Sequence, residues 1–149
     1  MSEADYYAAM VEGGDLAAHD ELDAAEKMYA RAVELADRLD QGKGPMSGEA
    51  KLCHATCRAE QNAYDDAMAG LDDAVTVLAA QEERDKALLG RAYMSRAAVR
   101  AALDHLDDAA SDAREAIALL ETAGPEHGGL VHSTKQMLSD IEAEAASRN

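Results

Sequence analysis

Positive charge is scarce in this 149-residue chain: 14 Lys plus Arg stand against 30 Asp plus Glu, for a formal net charge of −16. Phosphate backbones and anionic lipid surfaces both call for clustered cations, so the balance argues against nucleic-acid and membrane partners. Cysteine is limited to Cys53 and Cys57. Two thiols are too few for a disulfide scaffold and suit a reducing compartment. No stretch approaches the 18 or so consecutive apolar residues of a membrane-spanning helix. The start, Met1-Ser-Glu-Ala-Asp, lacks the basic-then-apolar order of a signal peptide. These absences predict a soluble cytoplasmic protein. Aromatics are rare too, with five Tyr, no Phe and no Trp.

What is abundant is alanine, 34 copies in all. Alanine has the best intrinsic helix propensity, and its single methyl group lets helices approach closely. The two prolines, Pro45 and Pro125, lie in the glycine-containing stretches Gln41-Gly-Lys-Gly-Pro and Ala123-Gly-Pro-Glu-His-Gly-Gly. Nowhere does an apolar–polar alternation bounded by turn residues announce a strand. The chain reads as all-α.

A repeat organises it. Leu22-Asp-Ala-Ala25, Tyr64-Asp-Asp-Ala67 and Leu106-Asp-Asp-Ala109 each open on a large apolar residue followed by acid, and a second Ala follows two helical turns after the first, at Ala32, Ala74 and Ala116. The anchoring alanines Ala25, Ala67 and Ala109 are evenly spaced and set a 42-residue period. Gly48, Ala50, Ala55 and Arg58 likewise recur one period later as Gly90, Ala92, Ala97 and Arg100. Equal spacing is the mark of duplication. The pattern predicts helices near 3–18, 22–39, 48–61, 64–80, 86–103, 106–122 and 128–146, grouped as units 3–39, 48–80 and 86–122 plus a last helix in one domain, 1–149. Asp20 and Asp104 are expected as N-caps or turn formers. Asp23, Asp65, Asp66, Asp107 and Asp108 load the first helical turns with the negative charge that the helix dipole favours.

These motifs resemble the tetratricopeptide repeat. The small residue midway along the first helix is Gly13, Ala55 or Ala97, and the Ala–large–Ala triplets of the second helix are Ala25/Tyr29/Ala32 and Ala67/Leu71/Ala74, with Ala109/Ala113/Ala116 departing in its middle member. The 42-residue period is similar to the longer-helix variety found in kinesin light chains. The chain departs from that pattern at Glu12, His54 and Arg96, where a large apolar residue is usual, and at Arg58 and Arg100, where Tyr is usual. Tyr93-Met-Ser-Arg96-Ala together with Asp112 looks like a version in which first-helix Arg pairs with second-helix Asp, which implies an Arg96–Asp112 pair.

The resemblance implies an αα-superhelix, three helix-turn-helix units closed by a C-terminal capping helix. It also implies a groove lined by the first helices that holds a protein or peptide partner. Carried over residue by residue, the groove comprises Tyr7 and Met10, then Glu49, Leu52, Thr56 and Glu60, then Arg91, Met94 and Ala98. Leu52 and Met94 are its expected apolar contacts. The last helix offers Leu130, Val131, Met137, Leu138 and Ile141 as one apolar stripe, with Glu142, Glu144, Arg148 and Asn149 left polar. Stacked repeats need such an end cap; exchange of this helix into a second chain is the alternative.

Cys53-His54-Ala-Thr-Cys57 is the only segment that invites a metal. Residues four apart share a helix face, so the two sulfurs could meet one ion, but His54 points about 100° away. A structural zinc wants four ligands, and the chain has no second cysteine pair. Both thiols therefore read as small core residues. The other histidines, His19, His105, His127 and His132, are dispersed near turns and show no His-Glu-x-x-His spacing. No nucleophile elbow or phosphate-cradling loop is present. The expectation is a non-enzymatic interaction module without metal or cofactor. The acidic runs Asp65-Asp66, Asp72-Asp73 and Asp107-Asp108 could recruit a basic partner, but acids at helix starts have a local reason to be there, which favours a solvated surface. The rival class is a regulatory or sensor domain that binds a small signal or pairs with itself as a homodimer.

Overall fold

A computed structural model describes residues 2–148; Met1 and Asn149, the latter read above as polar, lie outside the described residues. The helices are α1 (Glu3–Ala18), α2 (Leu22–Asp40), α3 (Pro45–Glu60), α4 (Tyr64–Ala79), α5 (Lys86–Ala102), α6 (Leu106–Ala123) and α7 (Gly128–Ser147), with a 3-10 turn at Pro125–His127. They match the expected spans closely except at the start of α3. There the helix begins at Pro45 with Gly44 as N-cap, ahead of the Gly48 start that the repeat spacing suggested. Proline has no N–H to lose at the first helical position and its φ is already helical, so the Gly-Pro step starts the helix instead of preceding it.

The chain divides into two compact units, Met1–Glu82 and Glu83–Asn149. In the first, α2 packs against α1 and α3, and α3 against α4. Tyr6, Ala9, Ala32, Leu35, Ala36 and Ala50 form one buried cluster, and Ala25, Tyr29 and Cys57 another; Met10 packs against both. In the second unit α6 lies against α5 and α7. Ala109, Ala110 and Ile141 are buried there, with Met137 and Leu138 packed over them. The apolar stripe of α7 thus closes the second unit. Its far end is tied down by Arg148, which donates to Asp104 at 2.5 Å.

Three turns of identical build join the helix pairs. Their middle residues, Asp20, Asn62 and Asp104, have φ of 61°, 64° and 69°. Asp and Asn tolerate this left-handed region better than other side chains do. The residue after each one closes a bond back over the helix end: Glu21 N–H to Leu16 O at 2.9 Å, Ala63 N–H to Arg58 O at 2.9 Å, and His105 N–H to Arg100 O at 2.8 Å. Asp20 and Asp104 are therefore turn formers. They are not N-caps, because Glu21 and His105 occupy those positions.

Within each pair the helices meet at small residues. A Cβ on Gly48 would lie 2.6 Å from Leu78 Cδ2, and one on Gly90 would lie 2.9 Å from Leu120 Cγ. Gly48 and Gly90 are one repeat period apart, as are Leu78 and Leu120, so one contact is built twice. In the first pair the sizes are exchanged: Tyr6 and Ala36 hold the corresponding positions in a shared cluster. The Tyr6 hydroxyl donates to Met46 O at 3.2 Å.

Gly48→Val should destabilise the protein by about 2 kcal/mol in urea denaturation through overpacking. The loss should shrink in a Leu78→Ala background, as a double-mutant cycle would show. Burial, with Glu49 and other nearby groups, pushes the Tyr6 phenol well above its usual range. The unfolded phenol ionises first, so this stabilisation is whole below a pH of about 10 and is lost as pH rises further. Tyr6→Phe should flatten the alkaline fall of stability measured by denaturation above that pH.

Candidate functional site

The expected groove positions lie on first helices, and their fates differ. In the first unit Tyr7 is 55% exposed on α1, its ring edge-on to Tyr6 with centroids 5.0 Å apart. Met10 is half-buried between the two core clusters. On α3, Glu49 and Glu60 are exposed and Thr56 half-buried. Leu52 is a correction: at 2% exposure it belongs to the core and cannot touch a partner. In a helix that packs on two neighbours the apolar arc widens, and a large aliphatic residue at its border is drawn inward. In the second unit α5 carries Arg91 and Ala98 exposed and Met94 half-buried. The exposed members in the first unit are thus a tyrosine, two carboxylates and a partly covered threonine.

Of the polar residues that depart from the repeat pattern, His54, Arg58, Arg96 and Arg100 form ties between helices, whereas Glu12 stays exposed. Asp112, only 4% exposed, accepts from Arg96 twice, Nε to Oδ2 at 2.9 Å and Nη2 to Oδ1 at 3.0 Å. The predicted Arg96–Asp112 pair is there, in fork geometry. Arg100 adds a third donor, Nη1 to Oδ2 at 2.8 Å, which sequence reasoning missed. Its position one helical turn beyond Arg96 was the available signal. Arg96 also lies over the Tyr93 ring, 5.3 Å from its centroid. In the first unit His54, at the Arg96 position, meets Glu26 at 2.8 Å. Ser47, fully buried, has its hydroxyl 2.8 Å from Asp37 Oδ1 and 2.6 Å from Asp40 Oδ1, and its N–H donates to Asp40 Oδ2 at 3.0 Å.

The two cysteines are free thiols. Cys57 is buried and donates to Leu22 O at 3.5 Å; burial raises its thiol above the ordinary range, with Glu60 adding to the effect. His54 turns to Glu26 and not to the sulfurs. His19 Nδ1 lies 2.7 Å from Asp15 O, and His127 lies 3.5 Å from Glu126. Among the described residues no group of three or more His, Cys, Asp or Glu is arranged to hold a metal ion. No helix of the described residues is long and apolar enough to cross a membrane.

Solved structures resemble the chain along nearly all of its length. PcrH in complex with the chaperone binding region of PopD aligns with a TM-score of 0.75 and 21% identity, over 97% of this chain and 96% of that one. PcrH from Pseudomonas aeruginosa gives a TM-score of 0.75 and 20% identity, over 95% of each chain. The first TPR of Spaghetti (RPAP3), bound to the HSP90 peptide SRMEEVD, gives 0.64 and 17%, over 93% of this chain and 97% of that one. No family model and no curated protein matches. The structural likeness fixes the fold class: all-α, a tetratricopeptide-like αα-superhelix closed by a C-terminal helix.

Asp112→Ala leaves two arginines without their shared carboxylate in a partly dry site. It should cost about 3 kcal/mol or more, as breaking a buried pair does. Arg114→Ala, which loses only an exposed 3.1 Å contact with Glu142, should cost less than about 1 kcal/mol in the same denaturation experiment.

Proposed function

We propose that this chain is a non-enzymatic adaptor that holds a peptide segment of a partner protein against the exposed faces of its first helices. The observation that carries the reading is the set of exposed α1 and α3 side chains in the first unit, Tyr7, Glu49 and Glu60, with Thr56 and Met10 half-buried beside them. The tetratricopeptide-like fold supports it, since solved structures of that fold hold PopD and HSP90 segments. In the second unit Arg91, Met94 and Ala98 are the corresponding contacts. Both units work as one module in this reading, which takes residues 1–149 as a single domain. Helix lengths of 16 to 19 residues in α1 to α6 support the kinesin-light-chain-like variety of repeat. The free thiols support a cytoplasmic setting.

Charge sets the preference within that face. SRMEEVD carries three acids and one Arg, whereas the first-unit face presents Glu49 and Glu60. A partner segment rich in Lys and Arg fits it, and an acidic one is repelled. Affinity rests on a few contacts and should be modest.

Fluorescence anisotropy with a labelled, Pro-interrupted peptide of alternating Lys and Leu tests the reading against labelled SRMEEVD. The basic peptide should bind, and SRMEEVD should bind about tenfold more weakly or not at all. Glu49→Lys with Glu60→Lys should reverse that order while helical circular dichroism stays unchanged. Tighter binding of SRMEEVD to the unaltered chain, or no effect of the two substitutions, would overturn the assignment.

A further inference from the structure

The outward edge of α1 repeats a surface that α3 keeps covered. A shift of one repeat period carries Ala4, Ala8 and Val11 onto Met46, Ala50 and Cys53. On α3 these three pack into clusters that include α2 residues, Ala50 with no exposure at all. On α1 all three are exposed, and no helix of the described residues covers them. Val11 at 65% and its neighbour Tyr7 at 55% stand out as exposed large hydrophobic side chains. A shallow cleft of about 220 Å³ opens beside them, lined by Asp5, Ala8, Ala9, Glu12, Met28 and Arg31.

The polar positions that flank the stripe meet carboxylates of α2 on α3 and are themselves carboxylates on α1. On α3, Ser47 and His54 meet carboxylates of α2: Asp37 and Asp40 at the first, Glu26 at the second. The same shift places Asp5 at the Ser47 position and Glu12 at the His54 position. Asp5 also accepts from the Ser2 N–H at the start of its own helix, at 3.0 Å. Along α1 there are four acids, Glu3, Asp5, Glu12 and Asp15, and no Lys or Arg; Arg31 of α2 supplies a cation at the cleft's rim. A second copy docking by the same edge would bring four more acids, within a chain of net charge −16.

We propose that this edge of α1 docks a basic amphipathic helix of a partner protein, laid on α1 as α2 lies on α3, with its apolar stripe over Ala4, Ala8 and Val11 and its Lys or Arg side chains at Asp5 and Glu12. The surface adjoins the peptide-holding face at Tyr7, one helical turn from Val11, and does not rest on that reading. The two differ in position on α1, in partner conformation and in the residues that respond.

The chain's own α2 supplies the probe. A labelled 19-residue peptide of the α2 sequence, Leu22–Asp40, is made unchanged and with Glu26→Lys, Asp37→Lys and Asp40→Lys. The charge-reversed peptide should bind the full chain at least about tenfold more tightly than the unchanged one in anisotropy titrations, and the gap should narrow at high salt. Val11→Asp makes the chain more acidic yet should abolish that binding, which separates docking from mere attraction to acid. Glu12→Lys should weaken the reversed peptide and strengthen the unchanged one. Glu49→Lys with Glu60→Lys should leave the reversed peptide unaffected. The proposal is overturned if Val11→Asp binds as well as the unaltered chain, or if the Glu49/Glu60 variant loses the peptide. It is equally overturned if sedimentation shows a concentration-dependent dimer that Val11→Asp dissolves, because the edge would then belong to a second copy.

Discussion

The close approach of paired helices at a small residue is the constraint on which the rest of the structure depends. Gly48 under Leu78 and Gly90 under Leu120 leave no room for a Cβ, and Gly13 is covered by the Tyr29 ring, where a Cβ would stand 2.8 Å from an edge carbon. With so few aromatics and so much alanine, core stabilisation comes from short interhelical distances more than from large side chains. Dispersion falls steeply with separation, so a core of methyl groups stabilises only if the backbones come close. The large member of each contact then fills the remaining space. Where Tyr6 takes the glycine position, Ala36 takes the leucine position, so the large and the small member change places.

That geometry explains where the unexpected polar residues go. A first helix that touches small residues on one side still has borders facing its neighbours, and there Arg96 of α5 reaches Asp112 of its pair partner α6, while His54 of α3 reaches back to Glu26 of α2. Such ties add little net stability over an apolar contact of equal volume, but they are demanding in geometry. They fix which helix faces meet. The Ser47 contacts with Asp37 and Asp40 do the same between α2 and α3, where a helix begins at Pro45 and the chain has only the short connection 41–44 in which to turn.

The surplus acid has more than one origin. Asp65, Asp66, Asp107 and Asp108 sit in first turns, where helix dipoles account for them. Glu49 and Glu60 on α3, and Glu12 on α1, lie outside first turns and have no such local reason. They are the acids that give the first unit's open surfaces a sign, and sign governs partner choice and encounter rate more than raw affinity.

Much of this was legible in the residues. Alanine content, the even repeat spacing and the Gly, Pro and Asp punctuation determine the helices of the described residues and the fold class, because helix propensity and turn chemistry are local properties. The Arg96–Asp112 pair was visible too, through the resemblance to a repeat version in which first-helix Arg pairs with second-helix Asp. Other features were decided only in three dimensions. Leu52 sits at a position that helical periodicity leaves on a border, and the packing of two neighbouring helices turned it inward to 2% exposure. Arg100 joined Asp112 because α5 and α6 approach closely enough for two side chains to share one carboxylate. Val11 and Ala8 repeat positions that are covered on α3 and open on α1, a difference that depends on what lies alongside each helix. Periodicity specifies which residues share a face; only the neighbours specify which faces are covered.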